Sequence, residues 1–232
     1  MPQSTNRIFD DKMLSILYNV GLFNGFSKEE TLALCLKMNP HLKGFDRDDV
    51  VLAEGDDASR IGIICKGKLS VSKVSGDGSE HILALHETGE MMGLDGAFSH
   101  PQTSPLTFTA LEKSEILFLN IDIVNSNIIN IQTANRLLRN LNVMFADKCV
   151  RLIYKTEVLS KRSLRMRIMT YLRIQQRKQG KNTFYLKMDR EQFAQYLCVN
   201  RSALSRELSD MQRSGVIKFG PDGAVTLKDP DF

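Results

Sequence analysis

Three regimes of hydrophobic spacing follow one another along the chain. Residues 13–36 carry Leu14, Leu17, Phe23 and Leu32 at mixed helical spacing around a break at Gly21. From Leu42 to Leu119 the apolar positions fall instead in short alternating runs, among them Val50, Leu52, Ile61, Ile63, Leu69, Val71, Val74, Ile82 and Leu83, punctuated by GDD, KGK and GDG. That pattern predicts many short strands, and strands at this spacing build a sandwich or rolled barrel rather than a parallel sheet. From Ile121 to Leu159 there is neither Pro nor Gly, and the spacing turns helical, with Leu138, Leu141, Phe145, Leu152 and Leu159 approximating an a/d seam. A helix of about 30 residues is long for a globular core, and a partner helix is the natural cover for its seam, which points to a homodimer. Packing on the chain's own β-region is the alternative, and Lys148 and Lys155 interrupt the seam in its favour.

Beyond a bend expected near Leu159-Ser160, Ser160 can cap a helix from Lys161 to Lys178. Asp189 then caps a short helix, with Gln192 completing a capping-box pattern and Phe193, Ala194 and Leu197 supplying one apolar face. Cys198-Val199-Asn200 is long enough only for a turn, and Asn200 caps a second helix whose buried stripe is Leu204, Leu208 and Met211. Two strands, Val216 to Phe219 and Ala224 to Leu227, follow around a Gly-Pro-Asp-Gly turn and read as a small wing. Arg201, Ser202, Ser205 and Arg206 lie on the polar side of the second helix, where a helix-turn-helix protein presents side chains to base edges. A helical hairpin with solvated arginines is the plainer alternative.

Charge favours a polyanion as partner. Residues 1–150 hold 14 Lys+Arg against 19 Asp+Glu, whereas 151–232 hold 17 against 8. Between Ser160 and Lys181 eight basic residues meet no acidic one. Lys161, Arg162, Arg190 and Arg213 are candidates for phosphate contact.

Other chemistry is poorly supported. Cys35, Cys65, Cys149 and Cys198 form no CxxC pair, and His41, His81, His86 and His100 fit no metal-ligand spacing, so no metal site is expected. There is no nucleophile–base pair and no phosphate loop, and GEMMGLDG is a chance glycine spacing, so the chain does not read as an enzyme. With no signal-peptide pattern and no run of about 18 apolar residues, a cytoplasmic location without membrane contact is expected.

In this order, β-rich region, long helix and winged helix-turn-helix, the chain resembles the CRP/FNR family of bacterial transcription regulators. The likeness rests on EGDDASRIGIICKGKLSVSKVSGDGSEHILALHETGE, which is similar to the family's β-roll signature, and on VNRSALSREL, which is similar to its recognition helix. It implies an α+β chain: a jelly-roll (double-stranded β-helix) effector domain over 1–120, a long dimerisation helix over 121–159 and a winged helix-turn-helix domain over 160–232. It also implies a palindromic double-stranded DNA operator and contact with RNA polymerase.

Departures from the family pattern narrow the expectation. Ser202 stands where the best-known members place a Glu that accepts from cytosine, so the half-site should differ from theirs. Cyclic-nucleotide-binding members hold their ligand with a GEL…RSA cassette. Here Leu94 replaces the Glu, Ser104-Pro105 replaces Arg-Ser, and no Arg occurs between Arg60 and Arg136. A buried phosphate with no cation is costly, and Asp95 would repel it, so a cyclic nucleotide is not the expected effector. No cysteine precedes Cys35 to hold an iron–sulfur centre, and MMGLDGAF offers no haem ligand although Pro2 is present. No cofactor is expected. An unidentified small molecule would bind where Met92, Leu94, Asp95, Ser104, Leu106 and Phe108 approach Cys149 and Val150 of the long helix; these residues could equally form ordinary core. A thiol or redox sensor using Cys149 or Cys65 is the second functional reading.

Overall fold

The computed structural model describes residues 9–74, 76, 80–186, 188–220 and 223–228. Pro2, Asp77 and Gly78 of the GDG turn, and Pro221-Asp222 of the wing turn lie outside them. The chain divides into two compact units, Met1–Phe145 and Ala146–Phe232.

The first unit opens with two helices, α1 (Asp11–Tyr18) and α2 (Lys28–Lys37), separated by a 3-10 turn at Gly21–Phe23. Asp10 caps α1, and Ser27 with Glu30 forms a full capping box on α2. Eight strands follow: β1 (His41–Phe45), β2 (Val50–Leu52), β3 (Arg60–Lys66), β4 (Lys68–Val74), β5 (Glu80–Glu87), β6 (Met91–Met92), β7 (Thr107–Ala110) and β8 (Ser114–Asn120), with a one-turn helix α3 (Leu94–Ala97) between β6 and β7. They pair antiparallel into two four-stranded sheets, ordered β1-β8-β3-β6 and β2-β7-β4-β5, the two layers of a jelly roll.

Alternation along the strands explains both layers of packing. Ile64, Ile116, Phe45 and Met92 of one sheet meet Leu69, Val71, Phe108 and Ala110 of the other in an inner core. The opposite face of the first sheet, Ile61, Ile63, Cys65, Leu117 and Leu119, packs on Leu17, Leu22, Phe23, Leu34 and Cys35 of the N-terminal helices. Because β3 is covered on both faces, it reads as the continuous apolar run IGIIC. At the tight β3–β4 turn Gly67 holds φ +96°, and a Cβ there would fall 2.2 Å from Ser114 Oγ, so only glycine closes this hairpin.

A 3-10 turn at Asp122–Asn125 precedes the 29-residue helix α4 (Ile131–Leu159). The expected long helix thus begins at Ile131 rather than Ile121. Asn130 receives the Thr133 N–H at 2.8 Å and starts it there. The boundary between compact units falls inside α4.

The second unit contains the end of α4 with α5 (Leu164–Gln179), β9 (Thr183–Tyr185), α6 (Arg190–Tyr196), α7 (Arg201–Arg213), β10 (Ile217–Phe219) and β11 (Ala224–Leu227). Its three strands form an antiparallel sheet in the order β10-β11-β9. The core gathers Val158, Ile168, Tyr171, Leu172, Phe184, Phe193, Leu197, Leu204, Leu208, Met211, Ile217 and Val225.

Candidate nucleic-acid interface

Local sequence builds the helix-turn-helix. The Asp189 carboxylate accepts from Gln192 N at 2.8 Å and the Gln192 side chain accepts from Asp189 N at 3.0 Å, completing a capping box on α6. Tyr171 of α5 packs against Phe193, tilted, and Tyr196, edge-on, at centroid distances of 4.8 and 5.0 Å, and burial pushes its phenol up to about 12. The turn closes with Cys198 N donating to Gln195 O and Val199 N to Ala194 O, Cys198 itself adopting φ +55°. Asn200 then caps α7 by accepting from Ala203 N at 2.8 Å.

Leu204, Leu208 and Met211 bury one face of α7, leaving Arg201, Ser202, Ser205 and Arg206 exposed on the other. The guanidinium groups of Arg201 and Arg206 make no hydrogen bond or ion pair among the described residues. They stand available to an external acceptor. Ser202 is partly committed, since its hydroxyl donates to Asn200 Oδ1 at 2.8 Å. Ser205 contributes its carbonyl to the Ser209 hydroxyl at 2.9 Å.

The four phosphate candidates differ in availability. Arg162 is exposed, and Lys161 is half-buried with its carbonyl engaged by Arg167. Arg213 pairs with Asp210 within α7. Arg190 is half-buried, its guanidinium 4.2 Å above the Phe219 ring, and one terminal nitrogen is buried without a hydrogen-bond partner among the described residues. Desolvation lowers its pKa.

On α4 the structure sorts the seam residues. Leu138 and Leu152 are exposed and Phe145 is half-buried beside Phe98, at a centroid distance of 5.7 Å. Leu141 is a correction: it is 2% exposed and, with Leu137 and Ala134, completes the chain's own core. Val143, Val150 and Ile153, the last 64% exposed, extend the uncovered apolar surface instead.

Within the first unit, the apolar effector candidates divide between two hydrophobic clusters. Met92 and Phe108 are buried in the inner core, with Leu106 packed beside them, whereas Leu94 packs on the other cluster and Asp95 is half-buried. Buried Ser104 spends its hydroxyl on the Leu106 carbonyl at 2.6 Å. Cys149 and Val150 belong to the second unit, where both are exposed. The loop that lacks an arginine is nevertheless reached by a cation: Lys73 Nζ lies 3.2 Å from Pro105 O and 2.8 Å from Glu54 Oε1. Strand alternation, which puts Lys73 in phase with Leu69 and Val71, was the signal for it. Glu54 already neutralises that charge.

Burial pushes the Cys35 thiol up to about 12 and Cys65 up to about 11. Both stay protonated near neutrality, which weighs against Cys65 as a reactive thiol. No group of residues suited to a metal ion occurs among the described residues.

Comparison with known proteins agrees with this architecture. Residues 42–128 match the family described as cyclic nucleotide-binding domain, and residues 166–232 match the Crp-like helix-turn-helix domain. The transcriptional activator protein FnrA of Stutzerimonas stutzeri is 26% identical over 206 residues, which cover 80% of this chain and 81% of that protein. Among solved structures, the c-di-GMP responsive global regulator CLP of Xanthomonas campestris superposes with a TM-score of 0.57 at 18% identity, covering 84% of this chain and 96% of that one. The catabolite activator protein of Thermus thermophilus superposes at 0.52 with 22% identity, over 90% and 93% of the respective chains.

Proposed function

Since the chain belongs to the CRP/FNR family of transcription regulators, with a cyclic-nucleotide-binding type of β-unit ahead of a Crp-like helix-turn-helix, we propose that it acts as a homodimer reading a palindromic operator under control of a small molecule other than a cyclic nucleotide. The observation that carries the DNA reading is the outer face of α7, where Arg201 and Arg206 are exposed and have no partner among the described residues, on a helix held by its cap and its buried stripe. An arginine so placed gives guanine two parallel hydrogen bonds, at O6 and N7. Ser202 and Ser205 tune the choice, while Lys161, Arg162, Arg190 and Arg213 supply contacts that position without specifying.

Dimerisation is supported by Leu138, Leu152 and Ile153, large apolar side chains that α4 leaves exposed in the single chain. Two copies place their α7 helices in successive major grooves about 34 Å apart. RNA polymerase is the partner that promoter-bound regulators of this type address.

For the effector, Leu94, Ser104 and Pro105 in place of the phosphate-binding set, together with the pairing of Lys73 to Glu54, argue against a cyclic nucleotide. Millimolar cyclic AMP is expected to leave the melting temperature unchanged. Selection of bound duplexes from a random pool, with and without cell extract, tests the whole proposal. A two-fold-symmetric site is expected, and recovery of unselected sequence refutes it.

A further inference from the structure

One side chain joins the loop after α4 to the turn before α7. Arg167, in the first turns of α5, donates from Nε to Lys161 O at 3.0 Å and from Nη1 to Leu197 O at 3.3 Å. Leu197 is the C-cap of α6 and fully buried, so its carbonyl sits at the negative end of that helix with no intrahelical donor to meet it. Lys161 lies in the short loop between α4 and α5, where backbone carbonyls likewise lack a ladder. A guanidinium is planar and rigid, so its two edges hold the two carbonyls at a set separation. Lysine, a point charge on a flexible stem, can reach one or the other without fixing both. Three residues past Leu197 comes Asn200, whose side chain starts α7 and receives the Ser202 hydroxyl.

We propose that Arg167 is a positioning residue for DNA recognition: it sets the start of α7 against the α4–α5 loop, so that a displacement of that loop moves the base-reading side chains. This rests on the assignment of α7 as the recognition helix. It gives Arg167 an effect on discrimination between sequences, not merely on affinity, because a misplaced α7 loses base-edge geometry while phosphate attraction persists. Arg165, two residues earlier on α5, supplies a control of equal charge. It also reaches α7, through Ser214 Oγ at 3.0 Å and Glu207 at 3.6 Å, but by a partly exposed, screened pair.

The test measures, for the full chain, the ratio of affinities for the selected operator and for a random duplex of equal length. In Arg167→Gln that ratio is expected to fall about tenfold, in Arg167→Lys by less, and in Arg165→Gln to stay within about twofold of wild type. Should Arg167→Gln not fold, Arg167→Lys carries the test, together with amide exchange at residues 199–204, which is expected to quicken. A wild-type ratio in both Arg167 variants, or an equal drop in Arg165→Gln, overturns the role of Arg167 alone. A wild-type protein that selects no sequence overturns the assignment of α7 itself.

Discussion

Arg190 and Phe219 bind the first helix of the helix-turn-helix to the wing: the guanidinium lies 4.2 Å above the ring, with one of its nitrogens buried and without a partner among the described residues. The stack contributes about 1–2 kcal/mol, whereas an unmet buried donor costs a similar amount. Arg190→Ala should therefore lower unfolding free energy by about 1 kcal/mol, while Arg190→Met, which keeps the stem over the ring and removes the donor, should match or exceed wild type. Urea unfolding separates the two. Affinity for random DNA should drop equally in both variants if Arg190 also touches phosphate.

Arg206→Ala should cost about 1–3 kcal/mol on the selected operator and little on random DNA, as for a two-bond guanine reader. Equal loss on both sequences would make Arg206 a phosphate contact instead. Fluorescence anisotropy at fixed salt is the measurement.

The two α4 leucines should part company. Leu141→Ala should destabilise the fold by about 2–4 kcal/mol because it opens a cavity in the β-unit's core. Leu152→Glu, at a site 54% exposed in one chain, should leave folding intact and raise the dimer dissociation constant at least about tenfold, as read by sedimentation equilibrium.

Cys198 holds φ +55° in the turn before α7. A left-handed conformation costs a residue with a Cβ about 1–2 kcal/mol, of which glycine's extra chain entropy returns part. Cys198→Gly should raise the unfolding free energy by about 0.5–1 kcal/mol, and a loss would mean that the side chain packs usefully.

The buried thiols make the fold alkali-sensitive. Cys35 and Cys65 titrate natively at about 12 and about 11 against an ordinary 9.0, mainly because burial disfavours the thiolate. Above pH 9 the unfolded chain gives up protons that the native one retains. Stability present below pH 9 is therefore lost as pH rises towards 11, at up to about 1.4 kcal/mol per pH unit for each thiol. Cys65→Ala should flatten that slope by one proton, as measured by urea unfolding at successive pH values. Maleimide at neutral pH should label Cys149 and Cys198, which are exposed, and spare the other two.

What the sequence disclosed was local. The caps Asp189, Gln192 and Asn200 and the stripe of Leu204, Leu208 and Met211 are fixed by spacings of three and four residues, so α6 and α7 were legible. Long-range geometry was not. Strand β9 has three residues and is stabilised by pairing with β11, some forty positions later, so it left no alternation to read. The side of α4 that carries Leu141 is decided by where the β-unit presents its own apolar surface, and a heptad pattern holds no record of that. Arg167 reads in the sequence only as one more positive charge, because its two partners are backbone carbonyls six and thirty residues away.

Ser202 is the residue whose meaning changes most with its hydrogen bond to Asn200. With the hydroxyl hydrogen given to Asn200, the oxygen can only accept, and in the major groove the only donors are the exocyclic amines of adenine and cytosine. A neutral side chain is thereby restricted to the same half of the base alphabet that a carboxylate would address. It does so without bringing a negative charge toward the phosphates, so this protein would keep an amine-selective position while avoiding the electrostatic penalty of an acid in the groove.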